Sequence, residues 1–188
     1  MIAFWDALSR VLSQARHVTE TETIPTVYAQ SRVLAEDVYS LVDVPPADNS
    51  QMDGYAVRSA ELAAASPEQP VALPVSARIP AGSRAGALAE GSVARIFTGA
   101  PVPRGADAVV PQELVTVDGD GLVVFTAPVA AGKFVRPAGG DLRAGQLVLA
   151  AGSKLTPARL GLLASTGRAY VKVYRPVRVA VFCSGNDD

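Results

Sequence analysis

The sequence predicts a mixed α and β chain of more than one domain, and three observations carry that prediction. Apolar residues near the start recur at helical spacing. The middle is a series of short β-rich runs broken by Gly, Pro and Asp, and the last third returns to alternating strand and helix patterns.

Residues 4–16 read as an amphipathic helix, because Phe4, Trp5, Leu8, Val11, Leu12 and Ala15 share one face with Asp6, Ser9, Arg10 and Ser13 between them. His17, the lone histidine, falls near the end of that helix and reads as a surface residue. A second helix is expected over residues 27–35, after Pro25 and a capping Thr26, ending near Glu36 and Asp37 before the alternating stretch 38–44. From Pro45 onward, strands are expected at 55–57, 71–79, 93–97, 108–110, 114–117 and 122–125, with Asp118-Gly119-Asp120-Gly121 as a turn. Strands this short and this often interrupted suggest a small barrel or sandwich. The Ala- and Gly-rich stretch 80–91 reads as a loop. After Asp141 the pattern gives a strand at 147–149 and a helix over 156–165, opened by Thr156-Pro157 and closed by Gly167. Strands at 170–173 and 177–182 follow. The last is a continuous apolar run of the buried parallel type, the expected first strand of an α/β domain. A lone edge strand closing a small protein is the alternative.

Bulk properties bound the function. Of 188 residues, 49% are hydrophobic and 19% charged, enough for a packed core and unlike a disordered chain. With 17 basic against 18 acidic residues, no basic excess exists to drive binding to nucleic acid or an anionic membrane. The single Cys183 excludes an intrachain disulfide and a multi-cysteine metal site. The first residues lack the basic start and apolar run of a signal peptide, and no run approaches the roughly 18 apolar residues of a membrane span. A cytoplasmic protein is the expectation.

Four segments carry candidate chemistry. In the first, residues 45–56, Asp48, Asn49, Ser50 and Asp53 crowd oxygen-bearing groups behind Pro45 and Pro46, as in loops that hold a hard cation or orient a phosphate. Asp53-Gly54 ahead of an apolar strand is equally the mark of a hairpin turn. In the second, residues 96–110, the Thr98 hydroxyl and the N–H groups beside Gly99 and Ala100 are candidates to face a phosphate oxygen. No Lys of the P-loop kind follows, and a plain inter-strand turn explains the same residues. In the third, Arg136 is placed to pair with a phosphate, and Asp141 to ligate a cation or cap a turn. The fourth is Ser184-Gly185-Asn186-Asp187, beyond the carboxyl end of the last strand, where ligands gather in open α/β sheets.

Together these segments resemble the MoeA and gephyrin E-domain family, the molybdopterin molybdenumtransferases. The matching stretches, in order, are Ala35-Glu36-Asp37-Val38, residues 48–56, residues 98–110, residues 136–142, and residues 155–167 leading to Ser184-Gly185. Asn49-Ser50-Gln51-Met52-Asp53-Gly54-Tyr55-Ala56 and Thr98-Gly99-Ala100-Pro101-Val102-Pro103 are the most specific strings. The resemblance implies an elongated homodimer of four-domain subunits. Residues 1–20 would belong with a large α/β molybdopterin-binding domain that resumes at 175–188 as a first strand and turn. Residues 21–40 and 141–174 would form a small α/β linking domain, and 41–140 an inserted β-rich domain. Most of the pterin-binding domain and a C-terminal β domain are expected to lie beyond this chain.

The implied reaction is insertion of molybdate into adenylylated molybdopterin, with release of AMP and a requirement for Mg²⁺, and this portion alone is expected to be inactive. By matching motifs, Asp53, Thr98 and Asp141 are the catalytic candidates. Ser50, Gly99, Ala100, Arg136, Ser184 and Gly185 are the ligand-binding candidates, and Asp187 the metal ligand. Partners implied are a second copy, the pterin nucleotide, molybdate and other cofactor-biosynthesis proteins, with no nucleic acid and no membrane. One departure from the family is visible: Asn186-Asp187 stand where the family usually has Asp-Glu, removing one charge and shortening the second carboxylate by a methylene. The alternative function is a non-catalytic scaffold or dimerisation module of the same descent.

Overall fold

The computed structural model describes residues 2–182. In chain order it contains helix α1 (Phe4–Gln14), strands β1 (Thr21–Pro25), β2 (Val38–Tyr39), β3 (Asn49–Ser50), β4 (Gly54–Val57), β5 (Val71–Leu73), β6 (Val75–Ile79), β7 (Val93–Ile96) and β8 (Ala108–Pro111). Then come β9 (Thr116–Val117), β10 (Val123–Phe125), β11 (Val135–Arg136), β12 (Leu147–Leu149), helix α2 (Pro157–Ser165) and β13 (Tyr170–Tyr174). The chain divides into two compact units, Met1–Leu41 with Gly145–Asp188, and Val42–Ala144.

The second unit is built around β4. It lies inside a four-stranded sheet of order β6-β7-β4-β8, and all four of its residues are buried. Alternation along the strand sends Tyr55 and Val57 into a cluster with Leu62, Val93, Val123 and Phe125, and Ala56 into one with Ile79, Ile96, Ala100 and Val109. Gly54 is a steric necessity: a Cβ there would sit 2.0 Å from the Val110 carbonyl oxygen of β8. The expected single strand over 71–79 is two strands. Pro74 has no N–H to continue a ladder, so β5 pairs with β10 in a three-stranded sheet while β6 runs parallel to β7. The strand expected at 114–117 is preceded by a 3₁₀ turn, Gln112–Leu114, and shortens to β9. The Asp118 turn forms as expected: its carboxylate accepts from the N–H groups of Asp120 (3.0 Å) and Leu122 (2.8 Å).

In the first unit β1 pairs antiparallel with β13 and β2 with β12. Leu163 of α2 is fully buried among Ala29, Leu34, Leu155 and Val173. Thr156 caps α2, accepting from the Arg159 N–H at 3.4 Å, and Gly167 stops it at φ 79°. The helix expected over 27–35 is absent. Only a 3₁₀ turn, Thr26–Tyr28, forms; the chain turns again at Gln30 and Ser31 (φ 64°) and then runs extended, with Leu34 N–H donating to Ser153 O and Ala35 N–H to Lys172 O. Apolar spacing there is compatible with a helix, but pairing beside β13 claims the backbone donors, and Thr26 gives its hydroxyl to Arg168 O instead of capping. Helix α1 forms close to its expected bounds, and none of its residues is buried.

The strand expected at 177–182 does not form. Val177, Val179, Val181 and Phe182 are exposed, and no described segment pairs with them, so their apolar pattern has nothing to bury against. The turn expected at Ser184, Gly185 and Asp187 lies outside the described residues.

Two substitutions test this packing. Phe125→Ala removes a ring only 1% exposed and is expected to cost about 3–5 kcal/mol in urea unfolding. Gly161→Ala, in the exposed middle of α2 with open space around its Cβ, is expected to stabilise by about 0.5–1 kcal/mol.

Candidate functional site

Three of the four candidate segments meet in the second unit. Ser50 N–H donates to Ala100 O at 2.9 Å, and Gly99 N–H returns a bond to Ser50 O at 2.8 Å. Gln51 N–H reaches Phe134 O at 3.0 Å, and β3 pairs with β11 so that Asn49 faces Arg136 and Ser50 faces Val135. Asp48 bridges all three: its carbonyl accepts from Val102 N–H at 2.9 Å and its carboxylate from Ala138 N–H at 2.8 Å. Residues distant in sequence are thereby locked edge to edge, mainly by backbone hydrogen bonds.

On this frame Asp53 and Thr98 form a pair. One carboxylate oxygen of Asp53, Oδ1, accepts both the Thr98 N–H at 2.8 Å and the Thr98 hydroxyl at 2.7 Å. These two bonds, backbone first and side chain second, hold the Asp53 carboxyl below its usual range; partial desolvation opposes them and the nearby Arg95 charge assists. Asp53 is therefore ionised at neutral pH. Its second oxygen, Oδ2, has no hydrogen-bond partner among the described residues. The Thr98 hydroxyl donates its hydrogen bond to Asp53, so its oxygen offers only lone pairs to anything else. The pair presents acceptors side by side.

Arg136 and Asp141 form the second pair, an ion pair and hydrogen bond between half-exposed side chains. The bond from Arg136 lowers the Asp141 carboxyl, and the bond to Asp141 raises the Arg136 guanidinium. Asp141 is fixed at its own backbone as well, its N–H donating to Val44 O at 2.9 Å.

The remaining candidates fall differently. The Ser50 hydroxyl is turned inward, donating to Met52 O at 2.6 Å and accepting from Met52 N–H at 3.2 Å, and the residue is 1% exposed. Ser50 thus shapes the loop that leads to Asp53. The N–H groups of Thr98, Gly99 and Ala100 are all engaged within the chain, with Asp53, Ser50 O and Phe97 O. The turn therefore leaves the Thr98 hydroxyl oxygen exposed, and not the N–H groups that the sequence suggested. Ser184, Gly185 and Asp187 lie outside the described residues. Among the described residues no group of three or more His, Cys, Asp or Glu side chains is placed to hold a metal by itself.

Sequence reasoning passed over Arg95 and Gln112. Arg95 lies on β7, its guanidinium 5.3 Å from the Tyr55 ring centre and 4.6 Å from that of Phe97. It donates to Gly54 O (2.8 Å), Ile96 O (3.2 Å) and the Gln112 side-chain oxygen. The available signal was a charge in the otherwise apolar run Val93-Ala94-Arg95-Ile96.

A frame of short, mostly antiparallel sheets thus carries an acceptor pair and an ion pair on its connecting loops. Residues 2–167 match the family described as MoeA N-terminal region (domain I and II). The chain is 39% identical over 188 residues to a molybdopterin molybdenumtransferase of Haemophilus influenzae, covering 100% of this chain and 45% of that one. It is 43% identical over 180 residues to molybdopterin molybdenumtransferase 2 of Mycobacterium tuberculosis, covering 95% and 44%. Its fold matches the crystal structure of a molybdopterin biosynthesis MoeA protein from Pyrococcus horikoshii with a TM-score of 0.79 and 33% identity, over 93% of this chain and 46% of that one. The chain belongs to the MoeA family of molybdopterin molybdenumtransferases. It spans a little under half the length of these relatives.

The acid behaviour of Asp53 is a direct test of the pair. A carboxyl held below its unfolded value stabilises the fold above that value and loses the contribution as pH falls through the folded one. The stability difference between the natural chain and Asp53→Asn is therefore expected to be largest near neutrality and to shrink below about pH 3.9. Urea unfolding at a series of pH values reads this; a difference independent of pH would contradict the ionised pair.

Proposed function

We propose that the protein to which this chain belongs inserts molybdate into adenylylated molybdopterin with release of AMP, and that Asp53, Thr98 and Asp141 serve the reaction. The observation that carries the reading is the Asp53–Thr98 pair, an ionised carboxylate with one oxygen uncommitted beside a hydroxyl offering only lone pairs, in a chain of this family.

Both substrates are anionic, so acceptor groups alone would repel them. The donor set suits Mg²⁺, which takes one or two protein oxygens and leaves its other positions to water and phosphate. Bound beside Asp53 and Thr98, the ion would supply charge neutralisation between phosphate and molybdate oxygens. The residues themselves divide the remaining work. Asp53 holds a fixed negative charge, Thr98 orients it, and Arg136, oriented by Asp141, supplies the cationic edge for a phosphate. Ser184, Gly185 and Asp187 are assigned to the same ligand by motif, from the pterin-binding portion.

The reading includes a homodimer whose site is shared between subunits, acting in the cytoplasm. In its support, α1 presents Phe4 and Trp5, 70% and 75% exposed, as apolar surface fit for burial, and no helix among the described residues is long and apolar enough to cross a membrane. Because the chain covers only 45% of the Haemophilus relative, it is expected to turn over little by itself.

The test is AMP release from adenylylated molybdopterin with Mg²⁺ and molybdate, using this chain alone and the protein extended to the length of its relatives. Release is expected only from the extended form. In that form Asp53→Ala is expected to lower the rate roughly 10²–10³-fold, and Thr98→Val to raise the Mg²⁺ concentration needed for half-maximal rate roughly 10–100-fold. Full activity in Asp53→Ala would move the family's scaffold role to the front.

A further inference from the structure

We propose that Arg95 is the positioning residue of the Asp53–Thr98 pair, gripping the backbone on either side of it with Gln112 as its relay. The inference rests on the reading of that pair as the working site.

The sheet sets Arg95 directly across from Tyr55 of β4 and beside Arg78 of β6. Phe97, two residues further along the same chain, lies on the same face, with the Arg78 guanidinium 4.7 Å and that of Arg95 4.6 Å from its ring centre. Two aromatic rings thus hold the planar group by its face and leave its edge free to donate. The edge serves three acceptors. Gly54 O, at 2.8 Å, belongs to the residue after Asp53. Ile96 O, at 3.2 Å, lies two residues before Thr98. The third is the Gln112 side-chain oxygen, and the backbone N–H of Gln112 donates to Asp53 O at 3.0 Å. The Gln112 amide nitrogen is occupied by Glu113 at 3.1 Å, which keeps its oxygen turned toward Arg95.

One guanidinium is therefore bonded to both peptide segments that bring Asp53 and Thr98 together. No carboxylate forms a salt bridge with it among the described residues, so its charge acts on Asp53 through space. A lysine would keep that charge but could not serve three divergent acceptors from one fixed plane. Arg95 touches neither ligand nor reacting atoms; it sets the distance and direction of a carboxylate that does.

The experiment follows two nuclear magnetic resonance signals in this chain at neutral pH, the ¹³C chemical shift of the Asp53 carboxyl and the amide proton of Thr98. Arg95→Met is expected to displace the Asp53 carboxyl signal and move the Thr98 amide upfield, while the amides of Val123 and Phe125 stay in place. Arg95→Lys keeps the charge without the planar fork and is expected to leave both signals displaced. Gln112→Ala should move both signals in the direction of Arg95→Met by less. A folded Arg95→Met chain with unchanged Asp53 and Thr98 signals overturns the proposal. If that variant does not fold, unchanged signals in Gln112→Ala overturn it instead. Neither signal depends on turnover, so a normal Arg95 response beside an Asp53→Ala enzyme of full activity would sink the functional reading and leave the positioning role standing.

Discussion

The close approach of β8 to β4 at Gly54 is the constraint on which the rest of the second unit depends. A single Cβ at Gly54 would fall 2.0 Å from the Val110 carbonyl, so the two strands reach their pairing only because that position carries no side chain. The pairing continues Gly54 to Pro111, which delivers Gln112 to the Asp53 carbonyl. On the other side, Gly54 pairs with Ile96 of β7 and so sets the point from which the chain runs on to Thr98. Asp53 is thus the residue where the chain enters a buried strand already fixed on both flanks, and its side chain meets Thr98 because the register leaves it little else to do. The glycine of the Asp-Gly pair acts less as a turn residue than as the clearance that lets a sheet close around a carboxylate.

The electrostatics follow from this geometry. Backbone groups in β4, β7 and β8 satisfy one another, and three groups around the site are matched within the chain. Arg136 matches Asp141, Thr98 matches Asp53, and Arg95 is spread over carbonyls and rings. What is left over is one carboxylate oxygen and one hydroxyl oxygen, acceptors both. On the functional reading proposed above, that acceptor pair meets an anionic substrate through a cation while Arg136 faces a phosphate directly, which is a different logic from the loops that cradle phosphate with free N–H groups.

How much of this was legible in the sequence depends on how local its cause is. The amphipathic spacing of α1, the Thr156-Pro157 start of α2 and the Asp118 turn are local features, and each formed where its residues predicted. The segment 27–35 misled because its apolar spacing suits two periodicities, and the deciding factor was a neighbour, β13, more than a hundred residues away in sequence. The stretch 177–182 misled in the opposite way: a strongly β-prone run has no described neighbour and stays unpaired. At the site, Asp53, Thr98, Arg136 and Asp141 stood out through motif strings, but the strings said nothing of direction. That the Gly99 and Ala100 N–H groups are used internally, and that Ser50 points inward, are outcomes of β3 lying between β11 and the 98–101 turn, a register no single segment encodes.

The aspartates show why a motif identifies a residue before it identifies a role. Asp37, Asp43 and Asp48 each give one oxygen to a distant backbone N–H, of Ala151, Ala144 and Ala138, and so act as clips between segments. Asp107 uses both oxygens on Ser59, one on its N–H and one on its hydroxyl, and is structurally complete. Asp53 resembles Asp107 in taking an N–H and a hydroxyl from one residue, yet it takes both on the same oxygen. That difference decides the chemistry. Shared between two oxygens, the pair of bonds occupies the whole carboxylate; stacked on one, it leaves the other oxygen to offer. Two Asp residues in equally specific motifs of the same unit are separated, as strut and as candidate ligand, by which oxygen each neighbour reaches.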